Sequence, residues 1–349
     1  MSTVALSHGY PPLWNMGGEV SLHRTMKLIE GDKHVLTSTE QPYEFEGVHA
    51  LQINVPNVLD IEANPRPIAK QLLELNAKVV IGQNELSLPA VRAAEMARAI
   101  SIVNVHTPPR YGRGIAQAMQ LADYAVYNTR TSAIEWGEPN AFVLHPPITP
   151  LPKTTKPTGD AYTLLSSLIN KGVMVVLELA KLMPEQRFII VRSPAEPTHG
   201  LKDIEERVKE LPNVELLPRV SPEKVHEYFA QTRILLAPSR YETYGMSAIE
   251  AAGYGIPCVH VDTPHVREGI GEAAVLIKPL DTMQALAGIQ TIEQNYEEFS
   301  ANARARAEWL WERQEQESKA FTEYIKNLKF PENKRERQRA VSKGIRRAN

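Results

Sequence analysis

Two glutamates lie eight residues apart in the stretch YETYGMSAIEAAGYGIPCV, which covers residues 241–259. Glu242 precedes a predicted helix, and Glu250 lies in its middle among residues that are apolar or small around nearly the whole circumference. This pattern predicts a helix that packs on more than one side and buries Glu250. A buried carboxylate needs hydrogen-bond donors, because an unpaired buried charge is costly. The donors could belong to a salt bridge, a backbone cap or a ligand.

Three predicted loops lead from strands into helices and contain groups that attract phosphate. Residues 15–19 include Gly17 and Gly18, residues 170–172 include Lys171, and residues 243–246 follow Glu242. Backbone amides at a helix start, together with the positive end of the helix dipole, favour anions. Each loop alone is ordinary turn chemistry, but together the three predict a diphosphate site.

The two glutamates indicate that the ligand contains more than a diphosphate. Carboxylates accept paired hydrogen bonds from neighbouring hydroxyl groups, as in bound sugars and riboses. Glu250 and Glu242 therefore suit two hydroxyl-bearing parts of one ligand with phosphates between them. We interpret that ligand as a nucleotide sugar.

The elements that must hold these residues alternate between strand and helix. Such alternation predicts parallel sheets covered on both faces, here an α/β chain of two Rossmann-like doubly wound domains that face each other across a cleft. A Pro- and Thr-rich stretch at 145–160 is the predicted linker. The main predicted strands are 35–38, 51–55, 79–81, 102–105, 123–127, 141–144, 161–165, 187–191, 214–217, 234–238 and 259–261. The main predicted helices are 67–75, 88–100, 172–182, 201–210, 222–231 and 282–327.

Composition and charge exclude several classes of protein. The chain has 349 residues, of which 43% are apolar, enough for two cores. Its single cysteine, Cys258, excludes an intramolecular disulfide framework and fits a reducing compartment. The N-terminus has no secretory signal pattern, and no apolar run approaches membrane-spanning length. These features predict a cytoplasmic protein without an integral membrane segment.

The last residues differ in charge from the rest of the chain. The net charge is −2, but residues 331–349, PENKRERQRAVSKGIRRAN, are strongly basic. This tail is predicted to be a solvated, disordered terminus, and contact with nucleic-acid phosphate is the alternative.

The stretch ETYGMSAIEAAGYGIPCV resembles the E-x7-E signature of retaining glycosyltransferases of the GT-B fold, the glycosyltransferase family 4-like group. Other segments resemble the same group: SHGYPPLWNMGGE its N-terminal glycine loop, IVNVHTPP its acceptor-side histidine strand, LADYAVYNT its strand before the linker, INKG its phosphate lysine, and LPRVSPEKVHEYFAQTRILLAPSRYETYG the run into the signature. The resemblance implies an acceptor-side domain at 1–150 and a nucleotide-sugar domain at 151–304. A helix at 305–330 would cross back to the first domain, before the basic tail at 331–349.

The resemblance also implies roles for individual residues. Glu250 would bind the ribose, Lys171 would neutralise the departing diphosphate, and His106 would lie beside the anomeric carbon. Gly17 and Gly18 would cover the phosphates, and residues 218–220 would border the base. The implied catalytic residues are Glu242, His106 and Lys171. The implied donor-binding residues are Gly17, Gly18, Lys171, Arg219, Glu242, Thr243, Tyr244, Gly245, Met246 and Glu250.

One feature departs from this group. The group usually has an arginine shortly before the lysine, but this chain reads LLSSLINKG, with Ser166 and Ser167 there. A missing cation would weaken stabilisation of the leaving group. The sequence leaves open whether Arg110, Arg192 or Arg240 replaces it.

The expected activity is transfer of a hexose or pentose from a nucleotide-diphosphate donor, most often UDP or GDP, to an acceptor hydroxyl. Retention of anomeric configuration is expected, and no cofactor or metal is required by such a site. The acceptor remains open between a glycan, a lipid-linked sugar, a protein and a modified base in DNA. A phage-type DNA-modifying glycosyltransferase, a non-catalytic nucleotide-binding module, and a GT-B epimerase or phosphorylase are the alternatives.

Overall fold

The computed structural model describes most of the chain as two compact units. Unit 1 comprises Met1–Pro147 and Gln314–Asn349, and unit 2 comprises Ile148–Arg313. The described residues are 1–14, 16–53, 64–109, 113–149, 159–193, 198–219, 224–332, 338 and 341. The predicted linker therefore lies partly outside the described residues, and the roles assigned to the two domains stay predictions.

Unit 1 contains an eight-stranded sheet in the order β3-β4-β2-β1-β5-β6-β7-β8, and only β3 and β4 are antiparallel. All six residues of β6 are buried, as expected for a parallel strand covered on both faces. The β3–β4 hairpin was not predicted. The two residues of its turn, Glu46 and Gly47, both have positive φ, at 47° and 78°, which matches the twist of a tight hairpin. The strands are β1 Ser2–Leu6, β2 Asp32–Thr37, β3 Tyr43–Phe45, β4 Val48–Gln52, β5 Ala77–Gln83, β6 Ile100–Val105, β7 Tyr124–Tyr127 and β8 Phe142–Val143.

Helices pack on the unit 1 sheet through their apolar faces. In α2, for example, Ile68 and Leu72 lie four residues apart and are fully buried, which is the spacing of one helix face. The side chain of Thr129 caps the last of these helices by accepting a hydrogen bond from the backbone amide of Ser132. The helices are α1 Gly17–Lys27, α2 Arg66–Glu74, α3 Ser87–Ala97, α4 Arg113–Leu121 and α5 Arg130–Glu135.

Unit 2 contains a six-stranded, wholly parallel sheet in the order β11-β10-β9-β12-β13-β14. The direction of winding reverses between β9 and β12, and ligands of such sheets bind at this switch point, beyond the carboxyl ends of the strands. The strands are β9 Ala161–Leu164, β10 Phe188–Val191, β11 Val214–Leu217, β12 Thr232–Ala237, β13 Cys258–Val261 and β14 Ala274–Ile277. The helices are α6 Val173–Leu182, α7 Thr198–Lys209, α8 His226–Phe229, α9 Met246–Gly253, α10 Pro264–Glu268 and α11 Thr282–Gln294.

A single long helix, α12, covers Tyr296–Lys326. It begins before residue 305, where the sequence placed the C-terminal helix, and ends before residue 330. In unit 2, Ala303, Ala307 and Leu310 of α12 pack in a core cluster with Ile249. In unit 1, Phe321 and Ile325 belong to a cluster with Val35 and Leu144. None of the helices in the described part of the chain combines the length and apolar character that a membrane span requires.

Most of the basic tail lies outside the described residues. Val341 is an exception, because it is fully buried in a unit 1 core cluster with Val103 and Trp136. The chain therefore packs into unit 1 at this position.

Candidate active site

Lys171 lies in the loop that follows β9, where a 3-10 turn at Ile169–Lys171 leads into α6. The next residue, Gly172, has φ 95°, and an added Cβ would lie 2.7 Å from the carbonyl oxygen of Pro238. A side chain at this position would therefore be strained and would also clash. Pro238 follows β12, and the backbone amide of Arg240 donates a 2.8 Å hydrogen bond to the carbonyl of Asn170. The loops after β9 and β12 are thus fixed together at the switch point.

Lys171 and Glu242 meet in this place. The Lys171 Nζ donates to Glu242 Oε2 at 2.7 Å, and the backbone amide of Thr243 donates to Oε1 at 2.9 Å. Burial raises the pKa of the Glu242 carboxyl, but Lys171 and the other positive groups outweigh it, so that the pKa is below its usual value. The side chains remain 36% and 23% exposed, and a ligand can therefore reach both.

His260 is a residue of this site that the sequence analysis missed. Its Nδ1 lies 3.0 Å from the carbonyl of Val261, so Nδ1 carries the proton and Nε2 a lone pair. Burial lowers the pKa of His260, although the nearby Glu242 opposes this shift. Gly245 has φ 84°, and an added Cβ would lie 2.8 Å from His260 Nε2. A neutral histidine therefore packs beneath the loop that follows Glu242. In the sequence, only the place of His260 near the end of the apolar strand CVHV indicates that it belongs to the site.

The predicted donor-binding loop, Thr243 to Met246, leads into α9. Gly245 precedes the helix, and no side chain caps the first amides of α9. These amides are therefore open to an anion. The Tyr244 hydroxyl accepts a 3.0 Å hydrogen bond from Arg313, and Thr263 donates to the Glu242 carbonyl at 3.0 Å. These bonds fix the loop from both sides.

Glu250 lies in α9 as predicted, but its predicted burial is wrong. Ala248, Ile249, Ala251 and Ala252 are buried, whereas Met246, Ser247 and Glu250 are partly exposed on one face of the helix. The apolar pattern overstated burial because it does not show which face of the helix the rest of unit 2 covers. Glu250 is therefore one helical turn from Met246 and accessible to a ligand.

The structure distinguishes among the three arginines that could replace the missing cation. Arg110 lies outside the described residues. Arg192 forms an ion pair with Glu205. The Arg240 side chain is exposed and forms no hydrogen bond or ion pair with any described residue, and its backbone is bonded to the loop of Lys171. Ser167, one of the two serines in the stretch where the resembled group usually has an arginine, is buried and accepts a hydrogen bond from the Ser193 amide.

Arg219, the predicted neighbour of the base, follows β11 at the same edge of the sheet. Its Nη2 is buried and has no hydrogen-bond partner among the described residues. Burial holds the pKa of this guanidinium below its usual value. Since an unpaired buried donor is costly, Arg219 is suited to bind a ligand oxygen.

Gly17 and Gly18 begin α1 in unit 1, and no side chain caps this helix. An added Cβ at Gly17 would meet nothing within 4 Å, and one at Gly18 would be 3.7 Å from Asn84. Packing within unit 1 therefore does not demand either glycine. Asn15 lies outside the described residues.

His106 follows β6 in unit 1. Its Nε2 is buried without a hydrogen-bond partner among the described residues. Burial lowers the pKa of His106 to about 4, so the imidazole is neutral near pH 7.

We expect His106 to make the protein less stable in mild acid. The unfolded chain binds a proton near pH 6.5 and the folded one only near pH 4, so stability falls as the pH drops through this window. The loss at pH 5 relative to pH 7 is about 2 kcal/mol. Urea unfolding at both pH values should show a smaller loss for His106→Gln than for the unchanged protein. The control His49→Gln alters a half-exposed histidine, and an equal effect of both substitutions would contradict the prediction.

Residues 162–295 match the model of one known family, Glycosyl transferases group 1. This match covers the sheet that carries Lys171, Glu242 and Glu250, so the similarity to group 1 glycosyl transferases lies in unit 2. The match confirms the resemblance to glycosyltransferases, and the retaining subgroup stays a prediction. No curated protein sequence matches the chain.

Solved structures confirm the predicted fold. HepE from Anabaena in complex with UDP-glucose is 15% identical, with a TM-score of 0.77 over 94% of this chain and 100% of HepE. Sucrose-phosphate synthase from Thermosynechococcus elongatus is 14% identical, with a TM-score of 0.74 over 93% of this chain and 98% of that one. A trehalose-phosphate synthase from Burkholderia xenovorans in complex with glucose-6-phosphate is 10% identical, with a TM-score of 0.68 over 93% and 99%. The chain therefore has the GT-B fold.

Proposed function

We propose that the protein is a retaining glycosyltransferase that transfers a sugar from a UDP-sugar to an acceptor hydroxyl without a metal ion. The observation that carries this proposal is the contact between Lys171 and Glu242 at the switch point of the unit 2 sheet. UDP is favoured over GDP because HepE, which has the same fold, binds UDP-glucose. The cytoplasmic location stays a prediction.

The Lys171–Glu242 pair supports a specific order of events during donor binding. The diphosphate offers Lys171 a stronger anionic partner, so the ammonium would move from Glu242 Oε2 to a phosphate oxygen. Glu242 Oε2 would then be free to accept a hydrogen bond from a hydroxyl of the donor sugar. The Thr243 amide would keep Oε1 in place. In the protein without donor, Lys171 and Glu242 thus neutralise each other until the donor binds.

Stabilisation of the leaving group would supply most of the rate acceleration. Negative charge grows on the diphosphate as the glycosidic bond breaks, and fixed cations and amides that meet this charge lower the barrier. Lys171 and the uncapped amides at the start of α9 are suited to this task. Within the described residues, His, Cys, Asp and Glu side chains form no group of three that could hold a metal ion. We assign charge neutralisation to Lys171 and to these amides, and independence of a metal ion stays a prediction.

A front-face reaction suits retention. The bond from the anomeric carbon to the leaving phosphate breaks while the acceptor oxygen bonds to the same face of that carbon. The acceptor proton passes to the leaving phosphate oxygen. His106 would be neutral under these conditions and would serve as a hydrogen-bond partner of the sugar rather than as a general acid.

Thermal unfolding with a panel of donors tests the proposed function. UDP-, GDP-, ADP- and TDP-sugars at about 1 mM are added to the purified protein in the presence of EDTA. A ligand that binds only the folded state raises the unfolding temperature. We expect the largest rise with a UDP-sugar, and slow release of UDP from the same donor. No rise with any donor would contradict donor binding, and a rise without turnover over an acceptor library would favour the non-catalytic module.

We further expect Arg240 to replace the arginine that the resembled group usually has near Ser166 and Ser167. Arg240→Gln should lower kcat by about tenfold, because one charge-assisted contact to the leaving phosphate is lost. Initial rates with saturating donor measure the effect. Arg267→Gln is the matched control, since Arg267 is exposed and pairs with Asp262 on another loop. Equal rates for Arg240→Gln and the control would remove Arg240 from the reaction.

A further inference from the structure

Unit 1 contains a cavity of about 780 Å³ beyond the carboxyl ends of β1 and β2. Two loops form its walls, residues 8–14 after β1 and residues 37–44, which lead from β2 into the β3–β4 hairpin. The walls combine aromatic rings, prolines, hydroxyl groups and carboxylates. Its lining residues include Tyr10, Trp14, Ser38, Thr39, Glu40 and Tyr43.

Hydrogen bonds between the two loops hold this cavity in shape. The carbonyl of His8 accepts a 3.0 Å bond from Thr37 Oγ1 and further bonds from the hydroxyl and the amide of Ser38. The Tyr43 hydroxyl donates to the Tyr10 carbonyl at 2.8 Å. The Tyr10 hydroxyl is bonded to His23 of α1 at 2.7 Å. The cavity is therefore largely formed before any ligand binds, as small-molecule sites usually are.

Trp14 lies directly on the backbone of Gly9. A Cβ added at Gly9 would lie 2.3 Å from the Trp14 Cγ, so the indole occupies the space that any other residue would fill. The Trp14 amide also donates to the Tyr10 carbonyl at 3.0 Å. Nevertheless Trp14 remains 39% exposed. The Trp14 indole is thus held in place by its contact with Gly9 and by the hydrogen bond of its backbone amide, while part of its surface faces the cavity.

The charges of the cavity disfavour an anion. Its lining contains the carboxylates of Glu40 and Glu44, and among the described lining residues there is no lysine or arginine. The one basic side chain, His8, lies 3.6 Å from the carboxylate of Glu85 and is therefore already engaged. A phosphate group would meet two carboxylates here, and no lysine or arginine among the described lining residues would offset them.

We propose that this cavity binds a neutral saccharide, which is the acceptor of the transfer. This assignment requires that the protein is the proposed glycosyltransferase. The apolar C–H face of a sugar ring suits the negative face of an indole, here Trp14. Its hydroxyl groups suit Glu40 and the polar groups of Thr39 and Gln41, because carboxylates and carbonyl oxygens accept hydrogen bonds from hydroxyls. A phosphorylated sugar and a nucleic-acid backbone both conflict with the charge of the lining.

Binding to the full chain without donor tests this assignment. The probes are the neutral methyl glycosides of glucose, galactose, mannose, N-acetylglucosamine and xylose, with glucose 6-phosphate as the charged counterpart. Saturation-transfer NMR detects binding up to concentrations of tens of millimolar. We expect at least one neutral glycoside to bind and glucose 6-phosphate to bind more weakly. Binding of no neutral glycoside, or preferred binding of glucose 6-phosphate, would overturn the assignment.

Substitutions test whether the glycoside binds in the unit 1 cavity. Trp14→Ala should weaken glycoside binding about 3- to 10-fold, the usual contribution of one aromatic contact. Gly9→Ala should have a similar effect, because its Cβ displaces the indole. The control Trp309→Ala removes a similarly exposed tryptophan from the unit 2 part of α12 and should leave binding unchanged. Equal losses for Trp14→Ala and the control would also overturn the assignment.

The same variants distinguish the two proposals. Trp14→Ala should retain the thermal stabilisation by the UDP-sugar, since Trp14 is not one of the proposed donor-binding residues and most of those residues lie in unit 2. If the donor stabilises the protein but no neutral glycoside binds, only the acceptor assignment fails. If glycosides bind and no nucleotide sugar does, the proposed glycosyltransferase fails.

Discussion

We expect Lys171→Ala to lower kcat by about two to three orders of magnitude, the usual cost of removing one fixed group that stabilises charge in the transition state. The ammonium would meet the diphosphate at the moment its charge grows, so kcat should fall more than donor affinity. Loss of the lysine also leaves the Thr243 amide as the remaining hydrogen-bond donor to the Glu242 carboxylate among the described residues. Burial would then raise the pKa of Glu242.

Steady-state kinetics with varied donor measure this effect. Lys181→Ala is the matched control, because Lys181 is half-exposed on α6 and pairs with Glu178. The double variant Lys171→Ala with Glu242→Gln should lose less than the sum of the two single losses, since the two side chains are in contact. A kcat for Lys171→Ala within about threefold of the unchanged protein would contradict the proposed stabilisation of the leaving group.

We expect Glu250→Ala to weaken the binding of UDP itself by about 10- to 100-fold, because a carboxylate bonded to ribose hydroxyls contributes charged hydrogen bonds. Glu242→Ala should act differently. It should reduce the preference for UDP-sugar over UDP, because Glu242 is assigned to the sugar. Isothermal calorimetry with UDP and with UDP-glucose measures both affinities for each variant.

The comparison of the two variants is the sensitive part of this measurement. Glu178→Ala is the control, since Glu178 is a half-exposed carboxylate on α6 of the same unit. It should change neither affinity. Equal effects of Glu250→Ala and Glu242→Ala on UDP binding would show that the two roles are not divided as proposed.

The strand order of the unit 2 sheet explains which features of this site could be predicted from the sequence. Glu242, Lys171 and Glu250 each stand out in the sequence, because charged residues interrupt apolar strand–loop–helix patterns. The direct contact between Lys171 and Glu242 could not be predicted, since the two residues are 71 positions apart in the sequence. They meet only because β9 pairs with β12. His260 was missed because it lies in a strand whose other residues are apolar, where local sequence gives no sign of the loop above it.

Local conformation explains the other differences. The β3–β4 hairpin was missed because its turn is Glu46-Gly47 rather than the Asn-Gly or Asp-Gly pairs that indicate such turns. The burial of Glu250 was overestimated because the helix sequence does not show which face a sheet covers. No local motif predicted the unit 1 cavity, although its first wall lies within the segment that resembles the N-terminal glycine loop. Its two walls are far apart in the sequence, and the parallel pairing of β1 with β2 brings them together.

The division of unit 1 into two segments has a consequence for how the chain folds during its synthesis. The core that contains Phe321 and Ile325, and the cluster that contains Val341, receive these side chains only after residues 148–313 have been made. At ordinary translation rates this interval is on the order of ten seconds or more. Unit 2 is continuous and can complete its sheet during this time. The nascent first segment therefore exposes the apolar surface that these side chains cover until the C-terminal residues emerge.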